Sequence, residues 1–344
     1  MRFEKIKLDD MKRCHAAGAL SLNGRFYAVF ASEAVDGPCY AYTGERFEEK
    51  EVIWEKAGGT VSLAEIPGRD GEFIAVQRFF PGFQSYGAKL VWGKRTHSGW
   101  EVNDLVNLPY VHRFDLFPVE GEIYLFAAIL CGSKNDRDDW SDPGKIIAGK
   151  LPAKAEEGIA FNEICGSQTR NHGYCRSFWQ GRAAGFWSSD SGVFAAVPPD
   201  NKDCQWQISK LLDRPVSDLA LCDLDRCGED ELVTIEPFHG NQFVVNKKTQ
   251  SGYEIVWRYP NEIDFAHTVT GCNLLGKPAV ICGARRKNCE LFVLQYESGK
   301  GFFTTLVEEG AGTSNAVAAN VNGVDIIIAA NHTKNEAAVY IARE

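Results

Sequence analysis

The stretch that decides the fold is HTVTGCNLLGKPAVICGARRKNCELFVLQYESGKGFFTTLVE, which runs from His267 to Glu308. It contains four runs of strand-forming residues, over 267–274, 278–284, 290–296 and 302–308. The connections between these runs carry the glycine and polar residues that hairpin turns require. The stretch is therefore predicted to form a four-stranded antiparallel sheet, whose strands we call A to D in chain order.

The turn between strands A and B of this stretch contains a glycine that recurs along the chain. The seven positions are Gly24, Gly71, Gly121, Gly181, Gly228, Gly276 and Gly323, at intervals of 47, 50, 60, 47, 48 and 47 residues. A β-rich unit repeated about every 50 residues is the signature of a β-propeller. The one long interval is explained by a polar insertion, GSKNDRDDWSDPG, at 132–144.

The two ends of the chain complete one blade between them. The seventh repeat supplies strand B at 324–331 and strand C at 337–344, and the chain then stops. The segment FEKIKL at 3–8 has a strand pattern but no hairpin partner of its own. We therefore predict an all-β, seven-bladed propeller that forms a single domain over 1–344, with the N-terminal strand paired beside 337–344. The alternatives are an open β-solenoid or two separate sandwiches.

Composition narrows the classes of partner. The formal net charge is −9, which argues against a nucleic-acid-binding or anionic-membrane surface. No apolar leader segment and no run long enough to span a bilayer is seen. The eleven cysteines show no zinc-finger or CxxC spacing. We therefore expect a cytoplasmic protein with reduced thiols and no nucleic-acid or membrane partner.

Histidine recurs at one register of the repeat. Four of the residues that lie nine positions before the repeated glycines are histidines: His15, His112, His172 and His267. These residues open A strands, and His239 and His332 close B strands. Because strand A leaves one face of the ring and strand B returns to it, all six side chains are predicted to share that face. Only His97 lies elsewhere among the seven histidines.

Imidazoles that converge from several strands suit a divalent metal ion. The predicted ligands are His112, His172, His239 and His267, and the predicted ion is zinc, with manganese or magnesium as alternatives. His15 and His332 either complete the ligand set or transfer protons. The competing interpretation is that each histidine is a local hydrogen-bonding residue that the repeat carries.

Other polar and aromatic residues share this face. Alternation along the strands predicts that Phe114, Tyr174 and Val269 face the channel, rather than Arg113 and Asp115. Tyr174 is thus a candidate catalytic residue, and Arg285 and Arg286 are candidates for holding a substrate oxygen. The blade-two loop offers four exposed aromatic residues, either as a wall for a sugar ring or as packing over the rim: Phe79, Phe80, Phe83 and Tyr86.

Two segments carry a resemblance to known propellers. LCDLDRCGEDELVTIEPFHGNQFVV at 221–245 resembles an FG-GAP or VCBS-type repeat, whose hallmark is an acidic turn before a strand. EPFHGN at 236–241, followed by FAHTVTGCNLLGKPAVICGARR at 265–286, resembles the propeller domain of aldos-2-ulose dehydratases. That resemblance implies activity on keto-sugars such as 1,5-anhydrofructose. The cupin domains of known fungal members have no counterpart in this chain.

The acidic turn departs from its family pattern. Asp223, Asp225 and Asp230 are present, but Cys227 stands where an oxygen ligand is needed. Because calcium takes six or more oxygen ligands, we expect a turn that hydrogen-bonds its own backbone rather than a calcium site.

Together these observations predict a metal-dependent carbon–oxygen lyase that dehydrates a small keto-sugar. In this hypothesis the histidine-bound metal ion stabilises the enediolate that forms when a proton is removed beside the carbonyl. One alternative is a polysaccharide lyase, in which arginines bind a uronate carboxylate. The other is a non-catalytic propeller that binds a carbohydrate or a protein.

Overall fold

The computed structural model describes residues 1–80, 85–201 and 205–344. In these ranges the regular structure is β-strand apart from two short 3-10 helices, Ser85–Gly87 and Ala155–Glu157. The 28 strands form seven four-stranded antiparallel sheets, which confirms the predicted propeller. Within the described ranges no helix is long and apolar enough to cross a membrane.

Six blades are built from consecutive strands. Blade one comprises β2 (Cys14–Leu22), β3 (Arg25–Ser32), β4 (Cys39–Thr43) and β5 (Glu49–Trp54). Blade two comprises β6 (Leu63–Glu65), β7 (Glu72–Gln77), β8 (Lys89–Thr96) and β9 (Gly99–Asn107). Blade three comprises β10 (Val111–Val119), β11 (Glu122–Cys131), β12 (Pro143–Lys150) and β13 (Asn162–Gln168).

The second half of the ring repeats this order. Blade four comprises β14 (Gly173–Trp179), β15 (Arg182–Ser189), β16 (Gly192–Val197) and β17 (Gln207–Leu212). Blade five comprises β18 (Asp218–Cys222), β19 (Glu231–Glu236), β20 (Gln242–Thr249) and β21 (Gly252–Arg258). Blade six comprises β22 (Asp264–Leu274), β23 (Lys277–Arg286), β24 (Leu291–Glu297) and β25 (Gly301–Glu308).

Blade seven joins the two ends of the chain. It comprises β26 (Thr313–Val321), β27 (Val324–Asn331), β28 (Glu336–Arg343) and, on its outer edge, β1 (Arg2–Asp10). Phe3 pairs with Ala342 and Lys7 pairs with Ala338, as the missing final strand predicted. Pairing with β1 leaves no free edge on β28, so the ring is closed by main-chain hydrogen bonds.

The repeated glycines have one conformational role. All seven have positive φ, between 69° and 91°. In five of the turns the preceding residue also has positive φ: Asn23, Glu120, Gln180, Leu275 and Asn322. Two consecutive residues with positive φ form a type I′ turn, whose twist matches that of the two strands it connects. Because glycine adopts this conformation at little cost, the hairpin between strands A and B accounts for the period seen in the sequence.

The apolar core lies between the blades. Tyr27, Val29 and Ala31 of blade one pack with Phe73 and Ala75 of blade two in one buried cluster. A corresponding cluster joins blades six and seven, and another joins blades seven and one. Because each blade buries both faces against its neighbours, the inner ends of the strands are held rigidly around the channel.

Candidate functional site

The predicted histidine face is present and lines one cavity. A cavity of about 500 Å³ opens where the A strands begin and the B strands end. Five of the six predicted histidines line it: His15, His112, His172, His239 and His267. The sixth, His332, lies beside the cavity and contacts the lining residue Glu33. His97 is exposed and lies in the turn between β8 and β9, the two outer strands of blade two.

Three of these imidazoles are oriented by carbonyl groups of the next blade. The Nδ1 atoms of His112, His172 and His267 lie 3.1, 3.2 and 2.7 Å from the carbonyl oxygens of His172, Ser217 and Ser314. Because a carbonyl oxygen only accepts, each Nδ1 carries the hydrogen and each Nε2 presents a lone pair. The histidines thus connect neighbouring blades, as the local-role interpretation expects, and each Nε2 is left as an acceptor. Nε2 of His172 accepts a hydrogen bond from Nε2 of His239.

A three-histidine group fits a divalent ion. The ligand nitrogens of His172, His239 and His267 all lie within 4.8 Å of one another. Zinc–nitrogen bonds of about 2.0–2.1 Å at tetrahedral angles place ligand nitrogens about 3.3 Å apart. The Nε2 atoms of His172 and His239 are 3.1 Å apart, close to that spacing, and a bound ion would replace the hydrogen bond that joins them. His112, the fourth predicted ligand, is not part of this group.

The environment keeps these imidazoles neutral. Burial lowers the pKa of His172 and of His267 well below the usual value. Burial, followed by the positive charges of Arg285 and Arg286, lowers the pKa of His239 to about 3. Neutral imidazoles are the form that binds a metal ion, so the group needs no deprotonation near pH 7.

A buried carboxylate that sequence reasoning missed organises the other two histidines. Glu33 is 3% exposed and accepts hydrogen bonds from Arg13 Nη2 at 2.6 Å and from His332 Nε2 at 2.5 Å. Burial alone would raise its pKa, but His15, His332 and Arg13 outweigh burial and hold the pKa of Glu33 far below its usual value. Arg285 donates to Nδ1 of His332 at 2.7 Å, so both nitrogens of His332 are engaged.

A signal in the sequence marks this carboxylate. Glu33 directly follows strand B of blade one, and His332 directly follows strand B of blade seven. The rule that located His332 therefore also points to Glu33. Glu33 therefore occupies the same place in its repeat as His332 does in blade seven, with a carboxylate instead of an imidazole.

The predicted side-chain alternation is wrong in blade three. A β-bulge lies between Val111 and Arg113, so the chain gains one residue at His112. Arg113 consequently lines a second cavity of about 330 Å³ in the central channel. Phe114 lines it too, but the residue is 4% exposed and its side chain packs in the core between blades. Val269, also predicted to face the channel, does line this cavity, although it is only 7% exposed and packs in a core cluster as well.

Arg113 has a clear structural role in the channel. Its Nη1 donates to Asn315 Oδ1 at 3.0 Å, and this bond fixes the orientation of the amide. The amide nitrogen of Asn315 then lies 3.3 Å from Nδ1 of His15, which must accept and therefore carries its hydrogen on Nε2. That hydrogen faces Glu33, at 3.6 Å. In this arrangement Nε2 of His15 carries a hydrogen directed towards Glu33 and offers no lone pair to a metal ion.

Tyr174 is not brought to the histidines. It lines the channel cavity, and its hydroxyl group donates to Asp115 Oδ2 at 2.5 Å. Arg176 binds the same carboxylate through Nε at 2.7 Å. Asp115, which alternation placed away from the channel, also lines this cavity. The channel cavity and the histidine cavity have only Val61 and His267 in common.

The aromatic lining differs from the predicted wall. Phe79 lines the histidine cavity and packs against His112, with ring centroids 5.0 Å apart. Phe80 is half-buried and Tyr86 is 74% exposed, and neither lines the cavity. Phe83 lies outside the described residues. The main aromatic surface comes instead from blades five and six, where the His239 ring stacks between Phe238 and Phe265 at 4.1 and 4.3 Å.

The polar insertion of blade three forms part of the cavity wall. Its residues Lys134, Arg137, Asp138 and Trp140 line the cavity. The Trp140 ring meets Phe238 edge to face at 5.3 Å, which joins the insertion to blade five. The insertion therefore does more than lengthen the repeat, because it supplies charge and an aromatic ring at the mouth.

The acidic turn of blade five bonds to itself, as expected. The backbone amide of Gly228 donates to Asp223 at 3.0 Å and that of Cys227 donates to Asp225 at 3.1 Å. The ammonium group of Lys247 forms an ion pair with Asp225. An internal cation thus occupies the position beside these carboxylates. The ten cysteines among the described residues are all free thiols.

Comparisons with known proteins identify the architecture. No protein-family model matches the chain, and no curated protein matches it. Among solved structures, the crystal structure of Saccharomyces cerevisiae Sqt1 is similar, with a TM-score of 0.57 and 9% sequence identity. The match covers 94% of this chain and 83% of that one. At this identity the likeness concerns the fold alone, and it is consistent with a β-propeller.

Proposed function

We propose that this protein is a metal-assisted carbon–oxygen lyase that acts on a sugar. The observation that carries the proposal is the group formed by His172, His239 and His267, whose ligand nitrogens lie within 4.8 Å of one another at the edge of a cavity of about 500 Å³. Three protein ligands leave a coordination position open, which is typical of catalytic rather than structural sites.

The neighbouring residues suit the steps of an elimination. A bound divalent cation would supply a Lewis acid that stabilises negative charge on a substrate oxygen. His112 donates its Nδ1 hydrogen to a carbonyl group, and its Nε2 has no partner among the described residues. We assign to this Nε2 the removal of the proton beside the sugar carbonyl. The electron pair of the broken C–H bond then forms a carbon–carbon double bond. The adjacent C–O bond breaks, and the departing hydroxyl group takes up the proton that His112 removed and leaves as water.

The remaining residues hold this arrangement. Glu33 and Arg13 fix His332, which is engaged at both nitrogens and acts as a positioning residue. Arg285 lines the cavity and has further donors for a substrate oxygen. This division of roles differs from the sequence-based hypothesis, in which His112 bound the metal ion and His15 and His332 either completed the ligand set or transferred protons.

The resemblance to aldos-2-ulose dehydratases suggests where to begin with substrates. The resembling segments contain His239 and His267, two members of the three-histidine group. We therefore propose a small keto-sugar, with 1,5-anhydrofructose as the first candidate. Membership of the FG-GAP or VCBS class is part of the same proposal.

The test combines metal analysis with a substrate screen. Protein purified without a polyhistidine tag is loaded with zinc or manganese and incubated with keto-sugars and uronate oligosaccharides. Elimination products are conjugated and absorb in the ultraviolet where the substrates do not. We expect turnover that chelation removes, and that is lost in His239→Ala and His267→Ala but retained in His97→Ala. Binding of a sugar without turnover on either substrate class would instead identify a non-catalytic carbohydrate-binding propeller.

A further inference from the structure

The histidine cavity has a charge opposite to that of the whole chain. Six cationic residues line it: Arg13, Lys134, Arg137, Arg170, Arg285 and Arg286. Only two acidic residues, Glu33 and Asp138, line it as well. The formal net charge of the chain is −9, so positive charge is concentrated here against the overall balance. A cleft lined by one sign of charge attracts ligands of the other sign.

Some of this positive charge is already compensated. Arg13 pairs with Glu33 inside the cavity, while Arg170 pairs with Asp190 at 3.2 Å. Arg286 is 3.6 Å from Asp264 in a largely exposed pair. These three guanidinium groups are therefore not the strongest candidates for binding an anion.

Arg285 and Arg137 differ from these three residues in their pairing. Neither forms an ion pair with a carboxylate in the part of the chain that the structure describes. Arg285 is held against the Phe265 ring, with its Cζ 4.9 Å from the ring centroid, and donates to the neutral His332. Burial lowers the pKa of Arg285 to about 10, which reflects the cost of keeping this charge from water. Glu33 offsets part of this cost through His332, but no carboxylate contacts the Arg285 guanidinium among the described residues, so a bound anion would complete its surroundings.

Arg285 also lies next to the three-histidine group. Its charge acts on both His239 and His267, and its own ring contact, Phe265, stacks on His239. An anionic group bound by Arg285 would consequently sit beside the proposed metal ligands. Arg137, on the blade-three insertion, lies in the lining of the same cavity.

We propose that the ligand of this cavity is a sugar bearing an oxyanion group, a carboxylate or a phosphate, which Arg285 binds and Arg137 attracts. The planar guanidinium of arginine matches both oxyanions through paired hydrogen bonds. As a statement about the substrate, this inference rests on the proposed lyase function. It specifies an acidic sugar in place of a neutral keto-sugar.

The test measures binding separately from turnover. Glucuronate, glucose 6-phosphate and neutral glucose are titrated by calorimetry into metal-free protein, at about 20 mM and about 200 mM salt. We expect at least one acidic sugar to bind at least about tenfold more tightly than glucose, with an affinity that falls as salt rises. The first two ligands distinguish a carboxylate from a phosphate. Equal affinity for all three sugars, or no binding of either acidic sugar, would overturn the inference.

Matched variants test whether Arg285 is the residue that binds the acidic sugar. Arg285→Gln is expected to weaken acidic-sugar binding about tenfold or more, because a hydrogen bond to a charged group is lost. Arg285→Lys keeps the charge and should retain part of the affinity. Arg258→Gln removes an exposed arginine on blade five that has no carboxylate partner among the described residues, and should change nothing. Unchanged binding in a folded Arg285→Gln protein would overturn the assignment.

The test separates the failure of this inference from the failure of the lyase proposal. If wild-type protein binds acidic sugars but never eliminates water or a sugar from them, the binding inference stands and the lyase proposal fails. If turnover occurs on neutral keto-sugars alone, the lyase proposal stands and the acidic-sugar inference fails.

Discussion

Replacing His239 with alanine should remove one of three nitrogen ligands from the proposed metal site. Four-ligand zinc sites bind with about 10–16 kcal/mol near neutral pH, or about 2.5–4 kcal/mol for each ligand. Because 1.4 kcal/mol is a factor of ten, loss of one ligand should weaken zinc binding by about two to three orders of magnitude. His239 is the best choice because it is less buried than His172 or His267, so its removal disturbs the blades least.

The measurement is a zinc titration against a chromogenic chelator, with circular dichroism to verify the fold. His97→Ala is the matched control, because its side chain is exposed in a turn outside the cavity. His332→Ala is a second control inside the site, since His332 does not belong to the three-histidine group. Zinc affinity should be unchanged in the first control and change far less in the second than in His239→Ala.

One result would contradict the prediction that these imidazoles bind zinc. If folded His239→Ala and His267→Ala proteins bind zinc as tightly as the wild type, the ion does not use these imidazoles. The role of His112, His172 and His267 would then be limited to donating the Nδ1 hydrogen bonds that connect neighbouring blades.

Three other perturbations test separate parts of the molecule. Burial alone would raise the pKa of Glu308, but hydrogen bonds from partners including Lys5 and Tyr340 outweigh burial and lower it. The stability that ionised Glu308 gives to the closing blade is therefore complete above about pH 4.5 and is lost as pH falls through the lowered pKa. Glu308→Gln should therefore lower the free energy of unfolding by about 1 kcal/mol at pH 7 and flatten its acid dependence, measured by urea titration. Lys247→Met should destabilise the protein at pH 7 by about 1 kcal/mol, and millimolar calcium should restore part of this in thermal unfolding, because the acidic turn loses its internal cation. Trp140→Ala should weaken sugar binding in the cavity by about tenfold while thermal stability changes by only a few degrees.

The histidine cavity shows where sequence reasoning reached its limit. The shared register predicted that His15, His112, His172 and His267 lie on one face, because strand direction within a hairpin depends only on local order. It could not separate the three residues that converge from His112 and His15. That separation depends on the contact of His15 with Asn315 and of His172 with His239, which join distant parts of the chain.

The β-bulge in blade three shows a second limit. Strict alternation placed Phe114 in the channel and Arg113 away from it, whereas the bulge brings Arg113 to the channel and directs the Phe114 side chain into the core. A bulge adds one residue to one strand and reverses the side-chain order beyond it. No particular residue type marks the position of a β-bulge in a sequence, so the pattern of apolar residues alone predicted the wrong face for Arg113.

The sequence by itself determined the number of blades, the strand bounds of blade six within about three residues, and the closure of the ring by the first strand. These features follow from local rules: glycine at positive φ in a hairpin turn, and alternation within a strand. Only the tertiary structure decided that Glu33 meets His332, 299 residues away, and that a partly buried Arg285 donates to the same imidazole. Such contacts exist because ring closure places blade one next to blade seven, and residues this distant leave no joint pattern in a single sequence.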